Sequence, residues 1–123
     1  GHLDDPRAGA LAGDAGTGIA LIALDDDGRA IGMAEAGLRR DYVNGTDSSP
    51  VGSLEAWYVA TGHRGRGVGR ALIAAVEGWT RAQGCSELAS DALLANTASH
   101  AAHAACGFEE TERVVYFRKT LET

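Results

Sequence analysis

Apolar runs and turn residues divide the chain into short elements of a sheet. Residues 19–24 are a continuous apolar run, which is typical of a buried strand. The turn residues 25–28 join this run to a second strand, so that the two form a hairpin. A polar loop over residues 39–52 precedes the next strand. The predicted strands are residues 19–24, 30–38, 54–60, 87–90 and 113–121.

Two segments carry a helical pattern instead. From Val68 onward, apolar residues recur at i, i+3, i+4, i+7, i+8 and i+11, which places them on one face of a helix that Gly84 ends. An alanine-rich helix is predicted over residues 96–106, with a glycine directly after it as its stop. The order β-β-β-α-β-α-β predicts an α/β (α+β) fold in one domain, residues 1–123. Its glycine-rich start, residues 1–16, is expected to be poorly ordered.

Composition and charge limit the classes of partner that the chain is expected to bind. The chain has 123 residues, 45% of them hydrophobic, and a formal net charge of −6. This charge disfavours nucleic acid and anionic membranes, since both require a positive field, and it suits a polycationic substrate. With no apolar run of the ~20 residues that cross a bilayer and no recognisable secretory leader, a cytoplasmic location is expected. Two cysteines, Cys85 and Cys106, are too few for a disulfide scaffold and are expected to be small core residues.

The string RGRGVGR, residues 64–70, places three arginines and three glycines at the start of the first helix. Helix N-termini attract phosphate through unpaired N–H groups and the positive end of the helix dipole, and glycine lets the backbone approach a ligand closely. The string lacks the lysine and hydroxyl residue of a P-loop and the third glycine of a dinucleotide fingerprint. We therefore predict an anion-binding turn; the alternative is a glycine-rich connector on a solvated surface.

The arrangement Arg64-x-x-Gly67-x-Gly69, between the strand LEAWYV and an amphipathic helix, resembles the acyl-CoA signature Q/R-x-x-G-x-G/A of the GCN5-related N-acetyltransferases (GNAT). A second element agrees in spacing: Asn96 opens the next helix and Gly-Phe ends it, with His103 where the family usually has tyrosine. The resemblance implies a mixed, mostly antiparallel central sheet flanked by helices, with acetyl-CoA as co-substrate and no metal. It also implies a first strand and helix before the hairpin, which we expect to be missing or degenerate here.

Longer sequence segments place the resemblance within one branch of the family. Roughly residues 30–121 resemble the aminoglycoside 6'-N-acetyltransferases through YVNGTDSSPVGSLEAWYV, ELASDALLANTASHAAHAACGF and EETERVVYFRKTL. This branch implies an aminoglycoside or another polycationic amine as acceptor, and a homodimer. The implied acceptor-binding residues are Tyr42, Glu55, Asp91 and Glu112. The implied acetyl-CoA-binding residues are Trp57, Tyr58, Val59 and Asn96, with Arg64, Gly65, Arg66, Gly67, Val68, Gly69 and Arg70 at the pyrophosphate.

Acetyl transfer from a thioester to an amine requires a polarised carbonyl, a neutral amine and a protonated leaving thiolate. We expect the N–H of Val59 to polarise the carbonyl, and Glu55 or Asp91 to accept the amine proton, directly or through water. His103 is the candidate proton donor to the CoA thiolate. The alternatives are a salt-bridged strand residue at Glu55, a helix or turn cap at Asp91 and a packed helix residue at His103.

Other chemistries and functions remain open from the sequence. The pattern H-x-x-H-x-x-C, formed by His100, His103 and Cys106, argues weakly for a metal, since residues at i, i+3 and i+6 drift around the helix. A covalent acyl-cysteine at Cys85 or Cys106 is unnecessary for direct transfer. The first rival function is acetylation of a peptide N-terminus or a small metabolite amine at the same CoA site. The second is a shortened CoA-binding module with low activity.

Overall fold

The structure is a computed structural model that describes residues 7–10 and 18–122. The poor order expected over residues 1–16 falls largely on positions outside the described residues. Where residues 7–10 are described, they form a strand. The elements are β1 (Arg7–Ala10), β2 (Gly18–Leu24), β3 (Ala30–Arg39), β4 (Val51–Val59), a 3-10 turn (Thr61–His63), α1 (Val68–Ala82), β5 (Leu88–Ala89) and α2 (Thr97–Ala105).

The strands form one sheet in the order β1-β2-β3-β4-β5. Strands β1 to β4 pair antiparallel, and β5 pairs parallel with β4 after the crossover through α1. The mixed, mostly antiparallel sheet that the sequence resemblance implied is therefore confirmed. Strand β1 was missed because its sequence, RAGA, has no apolar alternation. Its pairing with β2 supplies the order that local propensity does not.

Helix α1 covers one face of the sheet and forms the core with it. Its fully buried residues Val68, Leu72, Ile73 and Val76 pack against a cluster that includes Leu21 of β2. The predicted apolar stripe lies on the buried face of α1. That face is wider than predicted, because Ile73 and Thr80 are buried as well. Within the described ranges, no helix is both long and apolar enough to cross a membrane.

The opposite face of the sheet carries an open apolar surface. Side chains alternate along a strand, so the neighbours of the core residues point away from α1. They line a surface cavity of about 400 Å³. In the described part of the chain, the main helix contacts with the sheet are those of α1, which lies on the other face. The lining residues include Ala20, Ile22, Met33, Glu35 and Tyr58.

The strand predicted over residues 113–121 is a wrong prediction for the single chain. The described residues after α2 form neither helix nor strand as far as residue 122. A strand needs a partner for its backbone N–H and C=O groups, and this segment has none within the described sheet. Its apolar run is therefore left uncovered in the single chain: Val115, Tyr116 and Phe117 are 76%, 83% and 92% exposed.

Candidate active site

The turn before α1 has the geometry of an anion-binding helix start. Gly65 and Gly67 have φ of +76° and +87°, a conformation that favours glycine over residues with a side chain. Helix α1 begins at Val68 without a side-chain cap and without an acidic residue in its first turn, as described in this structure. Its first N–H groups are therefore available to a ligand. Arg66 and Arg70 are exposed beside them.

The third glycine of the string has a different role from the one expected. Gly69 is inside α1 with ordinary helical geometry, and a Cβ placed on it would come 3.3 Å from Cζ2 of Trp57. Because that contact is tighter than most, Gly69 allows the indole to lie against the helix. The Nε1 of Trp57 is buried and has no hydrogen-bond partner among the described residues.

Arg64 braces the end of β4. Its Nε donates to the carbonyl oxygen of Val59 at 2.9 Å, and its guanidinium lies 5.7 Å from the ring centre of Tyr58. Both contacts fix the chain where the strand enters the turn. Arg64 is thus engaged with the protein, whereas no such contact is described for Arg66 or Arg70. The placement of all three at a pyrophosphate stays a prediction.

An opening lies between β4 and β5. The two strands pair only at Gly52 with Leu88 and at Ser53 with Ala89, while β4 continues to Val59. The N–H of Ala60 bonds to β3. Successive residues of a strand direct their N–H groups to opposite edges, so the N–H of Val59 faces the opening. That position suits the polarising role expected of it.

Glu55 lies at an irregularity of the β3–β4 ladder. Glu35 pairs with Ala56 but Ala36 pairs with Leu54, so the described register leaves Glu55 without a residue opposite. A bulge re-aims its side chain relative to the regular alternation and is common beside active sites. The side chain of Glu55 is exposed, and it is free to meet a ligand.

The salt-bridge alternative for Glu55 has limited support. Arg39 forms its ion pair with Asp41. The hydrogen bond to Asp41 is the main reason that the pKa of Arg39 is raised, and the charge of Glu55 adds to it from further away. Glu55 is therefore near a cation without being its contact partner in the described ion pairs.

His103 stands at the centre of a side-chain cluster beside the opening. Its Nε2 lies 2.7 Å from Oγ of Ser90, and its Nδ1 lies 2.7 Å from the carbonyl oxygen of Ser99. The ring is edge-on to Trp57 and Phe108, with centroids 5.2 and 4.9 Å apart. The packed-residue alternative thus holds in part, since the ring packs against two aromatic side chains while both of its nitrogens are in polar contacts. Ser90 is a site residue that sequence reasoning missed, because its contact with His103 spans 13 positions without any local pattern.

Asn96 caps α2. Its side-chain oxygen accepts from the N–H of Ser99 at 3.1 Å, which fixes the start of the helix. Contact with acetyl-CoA stays a prediction for this residue. Asp91 directly follows Ser90 and is exposed at the edge of the opening. The structure describes no cap by its side chain.

Tyr42 and Glu112 lie on two segments that meet outside the sheet. Tyr42 is 72% exposed in the loop between β3 and β4. Gly45 of that loop touches the segment after α2: a Cβ on Gly45 would come 2.1 Å from Oγ1 of Thr111, the neighbour of Glu112. The structure thus brings the two predicted acceptor-binding segments together. Their contact with an acceptor stays a prediction.

The metal and acyl-cysteine alternatives gain no support from the geometry of α2. His100 Nε2 lies 3.0 Å from the carbonyl oxygen of Leu93, whereas His103 is directed to Ser90. The described residues contain no metal-binding group of three His, Cys, Asp or Glu side chains. Burial raises the pKa of the Cys106 thiol, which disfavours the nucleophilic thiolate. Cys85 is buried in the core, as expected.

Glu87 fastens the loop between β3 and β4 to the start of β5. Its carboxylate accepts from the hydroxyl of Ser48 and from the N–H of Asp47, the latter at 2.9 Å. These hydrogen bonds hold the pKa of Glu87 below its ordinary 4.5, and the one from Ser48 has the larger effect. The loop that carries Tyr42 is therefore docked by an ionised carboxylate.

This attachment is expected to weaken in acid. A depressed folded-state pKa contributes stability that is complete above the unfolded value of 4.5 and is lost as the pH falls through the folded value. Hydrogen exchange at the Asp47 amide should lose protection as the pH falls below about 4.5. Glu87→Gln keeps an acceptor oxygen but cannot titrate, so its protection should be flat over that range. A wild-type profile identical to that of E87Q would contradict this account.

The comparisons with known proteins identify the family. The chain matches the acetyltransferase (GNAT) family over residues 3–108. It therefore belongs to the GNAT acetyltransferases, and the resemblance inferred from its motifs is confirmed.

Individual relatives are more specific. An aminoglycoside N(6')-acetyltransferase type 1 of Stenotrophomonas maltophilia is 62% identical over 105 residues, which cover 85% of this chain and 69% of that protein. The aminoglycoside 6'-N-acetyltransferase AAC(6')-IG of Acinetobacter haemolyticus is 49% identical with a TM-score of 0.81, covering 86% of this chain and 72% of that one. AAC(6')-Iy, solved with the bisubstrate analog CoA-S-monomethyl-acetylneamine, is 51% identical with a TM-score of 0.81, covering 87% and 72%.

Proposed function

We propose that this chain transfers the acetyl group of acetyl-CoA to the 6'-amine of aminoglycoside antibiotics and so confers resistance to them. The observation that carries the proposal is the opening between β4 and β5, with the uncapped N-terminus of α1 and His103 beside it. Two exposed carboxylates lie on its flanking segments, Glu55 in β4 and Asp91 directly after Ser90. The relatives support it, since their names assign that reaction to proteins 48–62% identical to this one.

Acetyl-CoA binds, in this proposal, along the opening. Its pyrophosphate sits at the first N–H groups of α1 with Arg66 and Arg70 beside it. Its pantetheine arm runs along β4 towards Asn96. Its thioester carbonyl oxygen accepts a hydrogen bond from the N–H of Val59. Trp57 and Tyr58 flank the strand end. Acetyl-CoA supplies the activated acetyl group, and the protein orients that group for attack by the acceptor amine.

The acceptor amine is bound by charge and then deprotonated. An aminoglycoside is a polycation, and the chain has a net charge of −6. Glu55 and Asp91 serve both to attract the drug and to accept the proton of the attacking amine, directly or through water. Tyr42 and Glu112 line the outer part of this acceptor site.

The protein acts in the cytoplasm as a homodimer, in this proposal. The resemblance implies the dimer, and the segment after α2 supports it, because Val115, Tyr116, Phe117 and Leu121 are 74–92% exposed in the single chain. Exposed apolar rows of this kind mark interaction surfaces. Light scattering should give twice the chain mass; a monomer at micromolar concentration would refute the dimer.

One assay tests the function and its two rivals. Protein, acetyl-CoA and kanamycin or tobramycin are mixed, and release of free CoA thiol is followed. We expect release that depends on both the protein and the drug. Release with peptide or metabolite amines but with neither drug would favour the first rival function. Binding of CoA by calorimetry without turnover on any amine would favour the low-activity module.

A further inference from the structure

The hydrogen-bond geometry shows which ring nitrogen of His103 carries the hydrogen when the ring is neutral. Nδ1 lies 2.7 Å from the carbonyl oxygen of Ser99, and a carbonyl can only accept. Nδ1 therefore carries a hydrogen whether the ring is neutral or charged. The hydroxyl of Ser99, 3.3 Å from the same nitrogen, is a longer contact that leaves this assignment unchanged.

The proton that His103 gains and loses is thus the one on Nε2. Within the described residues, the polar neighbour of Nε2 is Oγ of Ser90, 2.7 Å away. The ring also makes T-shaped contacts with the aromatic side chains of Trp57 and Phe108. A proton on Nε2 has a hydrogen-bonded route out of the cluster through Ser90, and the aromatic contacts offer none.

Ser90 occupies the right place for that route to reach the reaction. Strand β5 stops at Ala89, where its pairing with β4 ends, so Ser90 is the first residue on the far side of the opening. Trp57 of β4 lies across from it, against the same imidazole. The serine is half-buried and precedes the exposed Asp91.

We propose that Ser90 is a further catalytic residue, which passes a proton from His103 to the leaving thiolate of CoA; this rests on the proposed function. As the C–S bond breaks, sulfur takes the hydroxyl proton of Ser90. Oγ in turn takes the Nε2 proton of the imidazolium, leaving His103 neutral with Nδ1–H still on the carbonyl of Ser99. The acceptor amine gives up one proton to the general base or to water, and His103 regains one from solvent. No proton is therefore left over.

When the ring is neutral, after the transfer, the same hydrogen bond runs the other way. Nε2 then accepts from the hydroxyl of Ser90. Protonation of Nε2 reverses the bond and turns the serine hydrogen outward, towards the opening. The pair therefore needs no side-chain movement larger than a hydroxyl rotation.

The test compares Ser90→Ala, Ser90→Thr and the control Ser86→Ala, an exposed serine four residues earlier. Steady-state thiol release is measured with kanamycin. S90A should lower kcat by about 10- to 100-fold with the KM for acetyl-CoA unchanged within about twofold, since the lost interaction forms only during the reaction. S90T keeps a hydroxyl and should restore most of kcat. S86A should match the wild type.

Several results would overturn the relay. They are an S90A kcat equal to that of S86A, a failure of S90T to rescue, or a fall in kcat accompanied by a parallel rise in KM. Nitrogen-15 NMR of the His103 ring gives a further readout: S90A should keep the Nδ1–H tautomer, and a switch of tautomer would assign the loss to ring orientation instead. Absence of thiol release by the wild type would overturn the proposed function as well, which separates the two failures.

Discussion

Asp91→Asn is expected to lower kcat/KM for aminoglycoside acetylation by about 10²-fold or more, while CoA binding stays intact. General acid–base groups contribute about 10²–10⁴-fold to rate, and asparagine has nearly the same shape but can neither accept the amine proton nor attract the polycation. The residue is exposed at the edge of the opening, so its replacement should not unfold the chain. Thiol release measures the rate, and calorimetry with CoA measures binding.

The matched control is Asp27→Asn, an exposed aspartate in the turn between β2 and β3. It makes the same change in net charge at a residue outside the proposed acceptor-binding set. If D27N lowers the rate as much as D91N does, general charge attraction explains the effect. Unchanged turnover in D91N would remove Asp91 from the mechanism and leave Glu55 as the remaining carboxylate candidate.

Leu72→Ala is expected to lower the free energy of unfolding by about 2–5 kcal/mol, the range for removing a large aliphatic side chain from a packed core. Leu72 is fully buried in α1. A Cβ built on Gly32 of β3 would come 3.2 Å from its Cδ1, so the leucine fills the space against the sheet backbone. The sheet cannot collapse onto the smaller side chain without moving α1, and a cavity should remain.

Urea unfolding of the ligand-free protein measures this loss. The matched control is Leu94→Ala, since Leu94 is 64% exposed in the loop before α2. Surface substitutions of this kind usually change stability by less than about 0.5 kcal/mol. Equal losses in L72A and L94A would contradict the described core.

The elements that sequence reasoning predicted are those with local signals. Strands β2 and β3 follow apolar runs around an acidic turn, and α1 follows a stripe that ends near Gly84, where φ is +86°. Helix α2 lies between a capping asparagine and Gly107, where φ is +88°. Caps, turns and periodicity act within a few residues, so the sequence shows them directly.

The elements and contacts that sequence reasoning missed or predicted wrongly depend on residues far apart in the chain. Strand β1 is recognised only through its pairing with β2, and the segment predicted as a strand over 113–121 has an apolar run but no neighbour in the described sheet. Within the site, residue type and spacing predicted the anion-binding turn, whereas the family resemblance implied the carboxylates, which stay predictions. The contacts of Ser90 with His103, of Arg64 with Val59 and of Gly69 with Trp57 required the packed structure.

The short pairing of β5 has a thermodynamic consequence. Two register pairs with β4 attach this strand, so few backbone hydrogen bonds oppose its local opening. A co-substrate seated between the two strands binds only the closed form. It would stabilise that form by about 2.7 kcal/mol at a concentration a hundred times its Kd. The supply of acetyl-CoA would then govern resistance to proteolysis as well as turnover, and the co-substrate would act as a reversible cross-link of the sheet.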